Sequence, residues 1–439
     1  MDSPTLISRR QALKMISLAG LGSLIGPAMP LRLKAGTGPR GRVVVVGGGF
    51  GGATAAKYVK RFAPSIEVTL IEPTQRYYTC PFTNLYLGGM RDFESLGHGY
   101  DELKDRYGVR VIHQRAEDVD NDGRRIQLED GSSLPWDRLI LSPGIDIRWG
   151  ALEGYDQAAS EKAPHAWRAG PQTKLLKAQL EAMPEDGTFL LAAPANPYRC
   201  PPGPYERVSQ IARYCKMHKP GAKILILDSK DSFSKQAAFM EGWEEHYGDM
   251  IEWVGLSDDG RVVRVDADNL EVETEFGTRH RASVLNVVPP QKAGAIADRA
   301  GVTDESGWVP IQPRTFASRK VEGIYVIGDA TEAAPMPKSG FVANTQAKVT
   351  ATAIVAELSG EEPPDPSWAN TCYSVIADDW GISVANVFEV HEGELREVPG
   401  SGGVSPLDAG TDFRRMEAQY AESWYAAIAQ DTWGTPLRG

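Results

Sequence analysis

One stretch near the start of the chain constrains the fold more than any other, because four features follow one another there in a fixed order. Arg42–Val46 is a β-branched run, which is typical of a buried parallel strand. The loop 47–52 follows with the pattern GxGxxG, and residues 53–62 are predicted to form a helix. A second predicted strand, 67–71, ends at Glu72, about 20 residues after the last glycine. This order predicts a dinucleotide-binding unit, in which the helix N-terminus faces a pyrophosphate and the acid binds a ribose.

A second motif, near the other end of the chain, indicates which dinucleotide is bound. The predicted buried strand 323–327 runs into Gly328 and Asp329, and a helix is predicted for 342–358. A carboxylate after such a strand suits a hydrogen bond to the ribityl chain of a flavin, and the helix N-terminus suits the flavin ring. The two motifs together predict FAD. The residues expected to contact it are Gly47, Gly48, Gly49, Phe50, Gly51, Gly52, Glu72, Gly144, Gly328, Asp329, Ser339, Gly340 and Gln346.

The middle of the chain resembles a second unit of the same kind without its glycine loop. A predicted strand, 188–193, a helix, 206–218, and a strand, 223–227, occur in the expected order, and the last strand ends at Asp228. The loop 194–202 reads PANPYRCPP. Prolines lack N–H donors, and side chains block the close approach of a phosphate. We therefore expect this unit to bind no nicotinamide dinucleotide, so the reductant is a different molecule.

The predicted fold class is α/β, with two Rossmann-like units and a small C-terminal domain. The FAD-binding domain is expected to be discontinuous and to comprise 41–165 and 288–362. The central domain is expected over 166–287, and a C-terminal domain that covers the flavin or meets a partner over 363–439.

The first forty residues predict an export signal and a linker. Arg9 and Arg10 precede the short apolar stretch 15–25, which prolines then break. This order is typical of a signal peptide, and the adjacent arginines indicate the twin-arginine route to the periplasm. A cytosolic amphipathic helix with a chance arginine pair is the alternative.

The charge balance excludes several classes of partner. The chain has 47 basic and 58 acidic residues and a net charge of −11, which argues against nucleic acid or anionic lipid and favours a basic protein. No apolar run reaches the roughly 18 residues that a bilayer-spanning helix needs. We predict no integral membrane segment and no bound metal.

Four cysteines are too few for a disulfide scaffold, and they allow three complete pairings. Cys200 lies in the proline-rich loop, and Cys372 follows the proline-rich linker 361–366. Cys215 falls in a predicted amphipathic helix, where a buried free thiol is expected. Cys80 follows Glu72 closely enough to pass near the flavin ring.

Several longer strings carry a resemblance to a known family. They are GGGFGGATAAKYVK (47–60), EVTLIEP (67–73), YYTC (77–80), CPPGPYERVSQIA (200–212), PMPKSG (335–340), NTCYS (370–374) and SGGVSP (401–406). Together they resemble the flavoprotein subunit of flavocytochrome c sulfide dehydrogenase, in the disulfide-reductase-like superfamily. The resemblance implies that Cys80 carries FAD through a thioether bond, and that Cys200 and Cys372 form a redox-active disulfide beside the flavin.

The same resemblance implies the function and the partner. It predicts a sulfide:cytochrome c oxidoreductase that oxidises sulfide to polysulfide or sulfur and forms a heterodimer with a c-type cytochrome subunit. The haem c is expected on that subunit, since this chain contains no CxxCH motif. A sulfide:quinone oxidoreductase and a non-catalytic flavoprotein subunit of a sulfur-oxidising complex are the alternatives. The tail 414–439 lacks the sustained apolar face with basic flanks that a membrane-binding helix needs.

Two further groups of residues have predicted roles. Glu206, six residues after Cys200, is a catalytic candidate for moving a sulfur proton, although a helix dipole alone also favours a carboxylate in the first turn. Among the C-terminal aromatic residues, most are expected in a core, whereas Trp424 and Tyr425 are expected to face the partner or the flavin.

Overall fold

The computed structural model describes residues 39–435, so nearly all of the predicted export signal lies outside the described residues. The helices in this range are α1 (Phe50–Phe62), α2 (Thr83–Leu87), α3 (Asp101–Asp105), α4 (Pro171–Ala182), α5 (Gly203–His218), α6 (Gln236–Tyr247), α7 (Ala295–Arg299), α8 (Gly340–Leu358) and α9 (Thr411–Trp433). The strands are β1 (Arg42–Val46), β2 (Glu67–Ile71), β3 (Tyr77–Tyr78), β4 (Gly97–His98), β5 (Arg110–Ile112), β6 (Ala116–Asp120), β7 (Arg125–Leu128), β8 (Ser133–Pro135), β9 (Arg138–Leu141), β10 (Ile145–Ile147), β11 (Thr188–Ala193), β12 (Lys223–Asp228), β13 (Ile251–Val254), β14 (Val262–Asp266), β15 (Glu271–Thr274), β16 (Arg279–Arg281), β17 (Val284–Val287), β18 (Gln291–Ala293), β19 (Val309–Pro310), β20 (Ile324–Val326), β21 (Thr331–Glu332), β22 (Ser367–Ala377), β23 (Trp380–His391), β24 (Glu394–Glu397) and β25 (Gly403–Val404).

A five-stranded parallel sheet in the order β20-β9-β1-β2-β5 forms the first unit. The four valines of β1 are buried, as expected for a parallel strand that is covered on both faces. Strand β20 pairs in parallel with β9, which brings the late motif into the same sheet as the early one. The predicted α/β class is confirmed, whereas the exact domain boundaries stay a prediction.

A four-stranded parallel sheet in the order β13-β12-β11-β17 forms the central unit. Strands β11 and β12 run in register, so that Ala193 and Asp228 end side by side. Helix α5 begins at Gly203, three residues before the predicted start, with Pro204 in its first turn. Proline is favoured there because the first N–H groups of a helix have no partner within it.

The C-terminal segment forms an antiparallel sheet that touches both units. Strands β22 and β23 make a long hairpin, which β24 and β25 extend. Helix α9 lies so close to β23 that a Cβ atom on Gly381 would be 2.3 Å from the backbone nitrogen of Ala418. Trp368 packs into the apolar core of the first unit, and Ile376 of the same strand packs into the core of the central unit. Strand β22 therefore joins the two units.

Helices α1 and α8 both begin earlier than predicted, at Phe50 and Gly340, because glycines of each loop already form the first helical turn. The first turn of each helix consequently reaches the carboxyl edge of the first sheet. Between residues 39 and 435 no helix is long and apolar enough to cross a membrane.

Candidate active site

A cavity of about 490 Å³ opens at the carboxyl ends of β1, β2 and β9. Parallel sheets of this type bind their ligands at this edge. Most of the predicted cofactor residues line it, namely Gly47, Gly48, Gly49, Phe50, Gly51, Glu72, Cys80, Gly144, Gly328, Asp329 and Gly340.

The remaining three predicted cofactor residues lie just behind the cavity wall and shape it. A Cβ atom on Gly52 would be 1.8 Å from the carbonyl oxygen of Gly47, so only glycine lets the loop and α1 pack this closely. The Ser339 hydroxyl caps α8 by accepting from the backbone N–H of Val342 at 3.1 Å. The Gln346 side chain accepts from the backbone N–H of Gly328 at 2.7 Å and fixes the turn before Asp329.

Glu72 holds the glycine loop while it lines the cavity. Its carboxylate accepts from the backbone N–H of Gly48 at 2.8 Å and from that of Thr74 at 2.9 Å. The carbonyl of Gly48 accepts in turn from the indole N–H of Trp433, in the last turn of α9, at 3.0 Å. The loop is therefore held both by Glu72, which follows β2, and by Trp433 of α9.

The donor and acceptor groups around the cavity fit FAD. The Oδ1 atom of Asp329 is buried and has no hydrogen-bond partner within the described part of the chain. Burial raises the pKa of this carboxyl group above its usual range. An unsatisfied buried acceptor is costly unless a ligand satisfies it, and a ribityl hydroxyl would do so. The glycine loop and the N-terminus of α1 offer N–H groups to a pyrophosphate at the same cavity.

Cys80 lies in the wall of this cavity, which also contains Arg199, a residue that the sequence did not single out. Its thiol is half-buried and lies 3.6 Å from the carbonyl oxygen of Trp167. Arg199 also lines the cavity, with its Nη1 atom 3.9 Å from the Oδ2 atom of Asp329. Its position beside Cys200 was the only signal in the sequence that could have pointed to it.

Cys200 is presented to this region by the proline-rich loop of the central unit. Its φ angle is +60°, in the left-handed region that residues other than glycine rarely adopt. Its backbone N–H donates to the carbonyl of Lys338 at 2.8 Å, and its carbonyl accepts from Gly203 at 2.8 Å. These bonds and the neighbouring prolines hold the strained conformation.

Cys372 reaches the same region from β22, where it pairs with Val384. Burial raises the pKa of both the Cys200 and the Cys372 thiols. The Cys372 thiol raises the pKa of Cys200 further, so the two thiols interact electrostatically. The predicted disulfide between them is nevertheless not formed here, since all four cysteines are free.

Glu206 lies between the two cysteine-bearing elements. Its carboxylate accepts from the side-chain amide of Asn84 at 2.8 Å and from the backbone N–H of Val375, in β22, at 3.0 Å. Burial raises the pKa of Glu206, so the carboxyl group keeps its proton to a higher pH than an exposed one. The group can therefore both hold and release a proton beside the sulfurs.

The corresponding acid of the central unit is occupied by internal partners. Asp228 is fully buried, accepts from the indole N–H of Trp253 at 3.0 Å and forms an ion pair with Lys230. The Tyr205 hydroxyl also donates to it. Lys230 donates as well to the carbonyl of Pro194, in the loop that replaces the glycine loop. No ribose can reach this acid without breaking these bonds.

The remaining predicted positions divide between core and boundary. Cys215 is fully buried, and so is the indole of Trp368. Tyr425 is also buried, which contradicts the partner half of the prediction that it faces the partner or the flavin. Its hydroxyl bonds to Thr79, next to Cys80, at 2.7 Å. Trp424 is half-buried and stacks against Phe341 of α8 with 6.3 Å between ring centroids.

Within residues 39–435, no group of three or more His, Cys, Asp or Glu side chains could hold a metal ion.

Sequence families match three parts of the chain. The central region of the flavocytochrome c sulfide dehydrogenase flavoprotein chain matches residues 173–289, and the flavin-binding region of that enzyme matches residues 364–433. The pyridine nucleotide-disulphide oxidoreductase family matches residues 41–180.

Individual relatives include one flavoprotein chain of this enzyme and two sulfide:quinone oxidoreductases. The chain is 65% identical to the sulfide dehydrogenase flavoprotein chain of Chlorobaculum thiosulfatiphilum over 43 residues, which is 90% of that short chain and 10% of this one. It is 24% identical to the mitochondrial sulfide:quinone oxidoreductase of Mus musculus over 73% of this chain and 72% of that one. The fold matches the crystal structure of the Aquifex aeolicus sulfide:quinone oxidoreductase with a TM-score of 0.67 and 18% identity, over 89% of this chain and 92% of that one. The glycine loop, the cysteines and these matches together show that the chain belongs to the family of flavocytochrome c sulfide dehydrogenase flavoprotein chains.

Proposed function

We propose that this chain oxidises sulfide with bound FAD and the pair Cys200 and Cys372, and passes the electrons to a separate c-type cytochrome subunit. The observation that carries the proposal is that two half-buried thiols, from the central loop and from β22, meet beside a cavity that fits FAD. The named activities of the relatives, sulfide dehydrogenase and sulfide:quinone oxidoreductase, support sulfide as the substrate.

In the oxidised form the two cysteines are joined by a disulfide. Hydrosulfide attacks one sulfur, the S–S bond breaks, and the other cysteine leaves as a thiolate while the first becomes a persulfide. Glu206 holds or releases the proton of the sulfur species, because its burial keeps its pKa raised. Bound FAD supplies the two-electron acceptor for this pair.

We further propose that Cys80 carries FAD through a thioether bond. Its thiol lines the cavity that also contains Glu72 and Asp329, so all three groups face one ligand. Acid denaturation of wild-type protein should leave the flavin on the polypeptide, and Cys80→Ala should release it. The mass of the denatured chain measures both outcomes, and flavin release from the wild type would refute the bond.

The electrons leave to another protein because the chain has no haem-attachment motif of its own. The net charge of −11 suits a basic partner surface. The export signal predicted from residues 1–40 supports a periplasmic location for the complex, reached by the twin-arginine route. Mass analysis of the protein from the periplasmic fraction tests the location and the cleavage of the signal.

Anaerobic mixing of the FAD-bound protein with sulfide tests the catalytic assignment. We expect rapid flavin bleaching in the wild type and a loss of several orders of magnitude in Cys200→Ser and in Cys372→Ser, with the flavin still bound. Cys215→Ser is the matched control, since its thiol lies in the core of the central unit. Normal bleaching in both active-site variants would overturn the assignment and would leave a structural or non-catalytic role.

A sulfide:quinone oxidoreductase is the second candidate. The match to the mouse enzyme over 73% of this chain favours it. Turnover with a soluble c-type cytochrome and with a short-chain quinone, measured on the same preparation, separates the two. Faster turnover with quinone by the complete complex would replace the cytochrome proposal.

A further inference from the structure

Lys235 is a buried lysine that the sequence did not single out. It immediately precedes α6, and only 6% of its surface is exposed. Its φ angle is +64°, so the backbone turns sharply at this residue. The Nζ atom donates to the Ser374 hydroxyl at 2.8 Å and lies 5.7 Å from the centre of the Phe239 ring.

The ammonium group lies on the cysteine-bearing face of β22. Ser374 and Cys372 are two residues apart in that strand, and side chains two apart point to the same face. The bond to Ser374 therefore directs the positive charge towards the side of the strand that carries the Cys372 sulfur. The charge lowers the pKa of the Cys372 thiol and, more weakly, that of Cys200, against the larger effect of burial.

The charge of Lys235 is not neutralised by an ion pair within the described residues. Lys230 pairs with Asp228 and Lys177 with Glu181, whereas Lys57, which is also buried, donates to backbone carbonyls near the end of α9. Lys235 differs from all three because it lies beside the cysteine pair. The nearest candidate, Glu206, already uses both carboxylate oxygens to accept bonds from other groups. A buried charge without a counter-charge is unfavourable, and a negative charge that forms on a neighbouring sulfur would offset that cost.

We propose that Lys235 is the counter-charge for the sulfur anion that forms at the Cys200 and Cys372 pair. The inference rests on the proposed function and adds a residue to it. When hydrosulfide adds to one sulfur, the electron pair of the broken S–S bond leaves on the other sulfur as a thiolate. The ammonium group stabilises that thiolate by its charge. Lys235 is thus a positioning and electrostatic residue, distinct from Glu206, which handles the proton.

The test measures thiolate formation directly and needs no sulfide. The FAD-bound protein is reduced anaerobically, and the rate of alkylation of Cys372 and of Cys200 by iodoacetamide is followed by peptide mass across a range of pH. Lys235 and Glu206 act on both thiols. Cys200 also interacts with Cys80, Arg199, Arg207 and Tyr198, whereas within the described residues Cys372 does not, so Cys372 gives the cleaner readout of Lys235.

Lys235→Met should raise the pH midpoint for Cys372 by about one unit and slow its alkylation about tenfold at neutral pH. The effect on Cys200 should be smaller. Lys235→Arg should keep the wild-type midpoint, and so should Lys177→Met, which removes a buried lysine elsewhere. An unchanged Cys372 midpoint in Lys235→Met would overturn the proposal.

Cys215 reports whether each variant is folded, because its buried thiol is alkylated only when the core opens. If Lys235→Met proves unfolded, Ser374→Ala decides, since it only removes the hydroxyl that holds the ammonium group. It should shift the Cys372 midpoint in the same direction by less, and no shift would refute the inference. A wild type that shows the electrostatic effect but no reaction with sulfide would instead refute the proposed function alone.

Discussion

The first and central units each contain a strand, a loop, a helix and a second strand that ends at an acid. The two loops nevertheless have different roles. In the first unit the loop is glycine-rich, and Glu72 holds a loop N–H while it lines an open cavity. In the central unit the loop is proline-rich, and Asp228 is tied to Tyr205, Trp253 and Lys230. The loop after the first strand presents backbone N–H groups in one unit and a thiol, Cys200, in the other.

The difference shows that the carboxyl edge of a parallel sheet can either bind a ligand or hold a reactive side chain such as Cys200, with the same topology. In both units the strand pairing is parallel, and the helix starts immediately after the loop. The two units differ in the residues of the loop and in the partners of the acid that ends the second strand.

The largest effect is expected from a side chain added to the first loop. A Cβ atom on Gly52 would be 1.8 Å from the Gly47 carbonyl oxygen, so Gly52→Val should displace the loop from α1 and give protein without FAD. Ala195→Ser, at an exposed position of the central loop, should keep a full complement of FAD. Flavin absorbance per polypeptide measures both. Full FAD content in Gly52→Val would contradict the role assigned to the close packing.

The two loops should also differ in the reductants that they admit. Stoichiometric NADH or NADPH should leave the flavin oxidised under anaerobic conditions, because the proline-rich loop offers few N–H groups to a phosphate and Asp228 is occupied. Sulfide should reduce the same sample. Rapid bleaching by either nicotinamide dinucleotide would show that the central unit still binds one.

Glu206→Gln tests whether the carboxyl group that lies between the two cysteine-bearing elements transfers a proton. The amide can still accept from Val375, but it cannot take up or release a proton, so flavin reduction by sulfide should slow about a hundredfold or more. Thermal stability and FAD content should stay close to wild type. Glu181→Gln, on the outer side of α4, is the control. An unchanged rate would leave Glu206 with only the structural bonds that it makes.

The two acids at the ends of the second strands give a matched pair of substitutions. Asp228→Asn leaves Lys230 buried without its counter-ion and should lower the free energy of unfolding by about 3–5 kcal/mol. Glu72→Gln should weaken FAD retention more than stability, because Glu72 faces the cavity. Urea unfolding and flavin content measure the two effects. A loss of FAD in Asp228→Asn together with a loss of stability in Glu72→Gln would contradict these two roles.

The smallest effect concerns acid stability. Burial lowers the pKa of His98, in the first unit, to about 4, whereas an unfolded histidine titrates near 6.5. The folded side chain stays neutral while the unfolded chain takes up a proton, so stability present above pH 6.5 is lost as the pH falls towards 4, by about 3 kcal/mol. Urea midpoints at the two ends of this range should differ less in His98→Asn. His165, whose pKa burial lowers to about 3, should lose its contribution over a range that extends further into acid.

The sequence predicted the elements whose patterns are local. Strands β1 and β2 have the predicted bounds, because a β-branched run beside a glycine loop is a strong signal. The cofactor residues of the two distant motifs were assigned to one FAD, and they line one cavity because paired strands of a parallel sheet end at the same edge. The roles given to the cysteines depended on the family resemblance, since the residues alone left three pairings open.

The residues that the sequence missed reach the site through tertiary packing. Lys235 comes from the turn before α6 and stands near no glycine or cysteine motif, whereas Asn84 lies in the short helix α2, four residues after Cys80. Tyr425 was expected to face the partner or the flavin, because aromatic residues are enriched at interfaces. Its hydroxyl found partners in the interior instead, and no local pattern indicates whether such partners exist.

The bond from Trp433 to the carbonyl of Gly48 also sets an order of events during synthesis. The two residues are 385 positions apart, so the glycine loop emerges from the ribosome long before the indole that fixes it. The loop can reach its final shape only after α9 has been made and has docked. A nascent chain that stops before Trp433 should therefore bind FAD more weakly than the finished one, even though every residue of the loop is already present. Flavin capture by stalled chains of increasing length would show affinity rising steeply as that last helical turn is added.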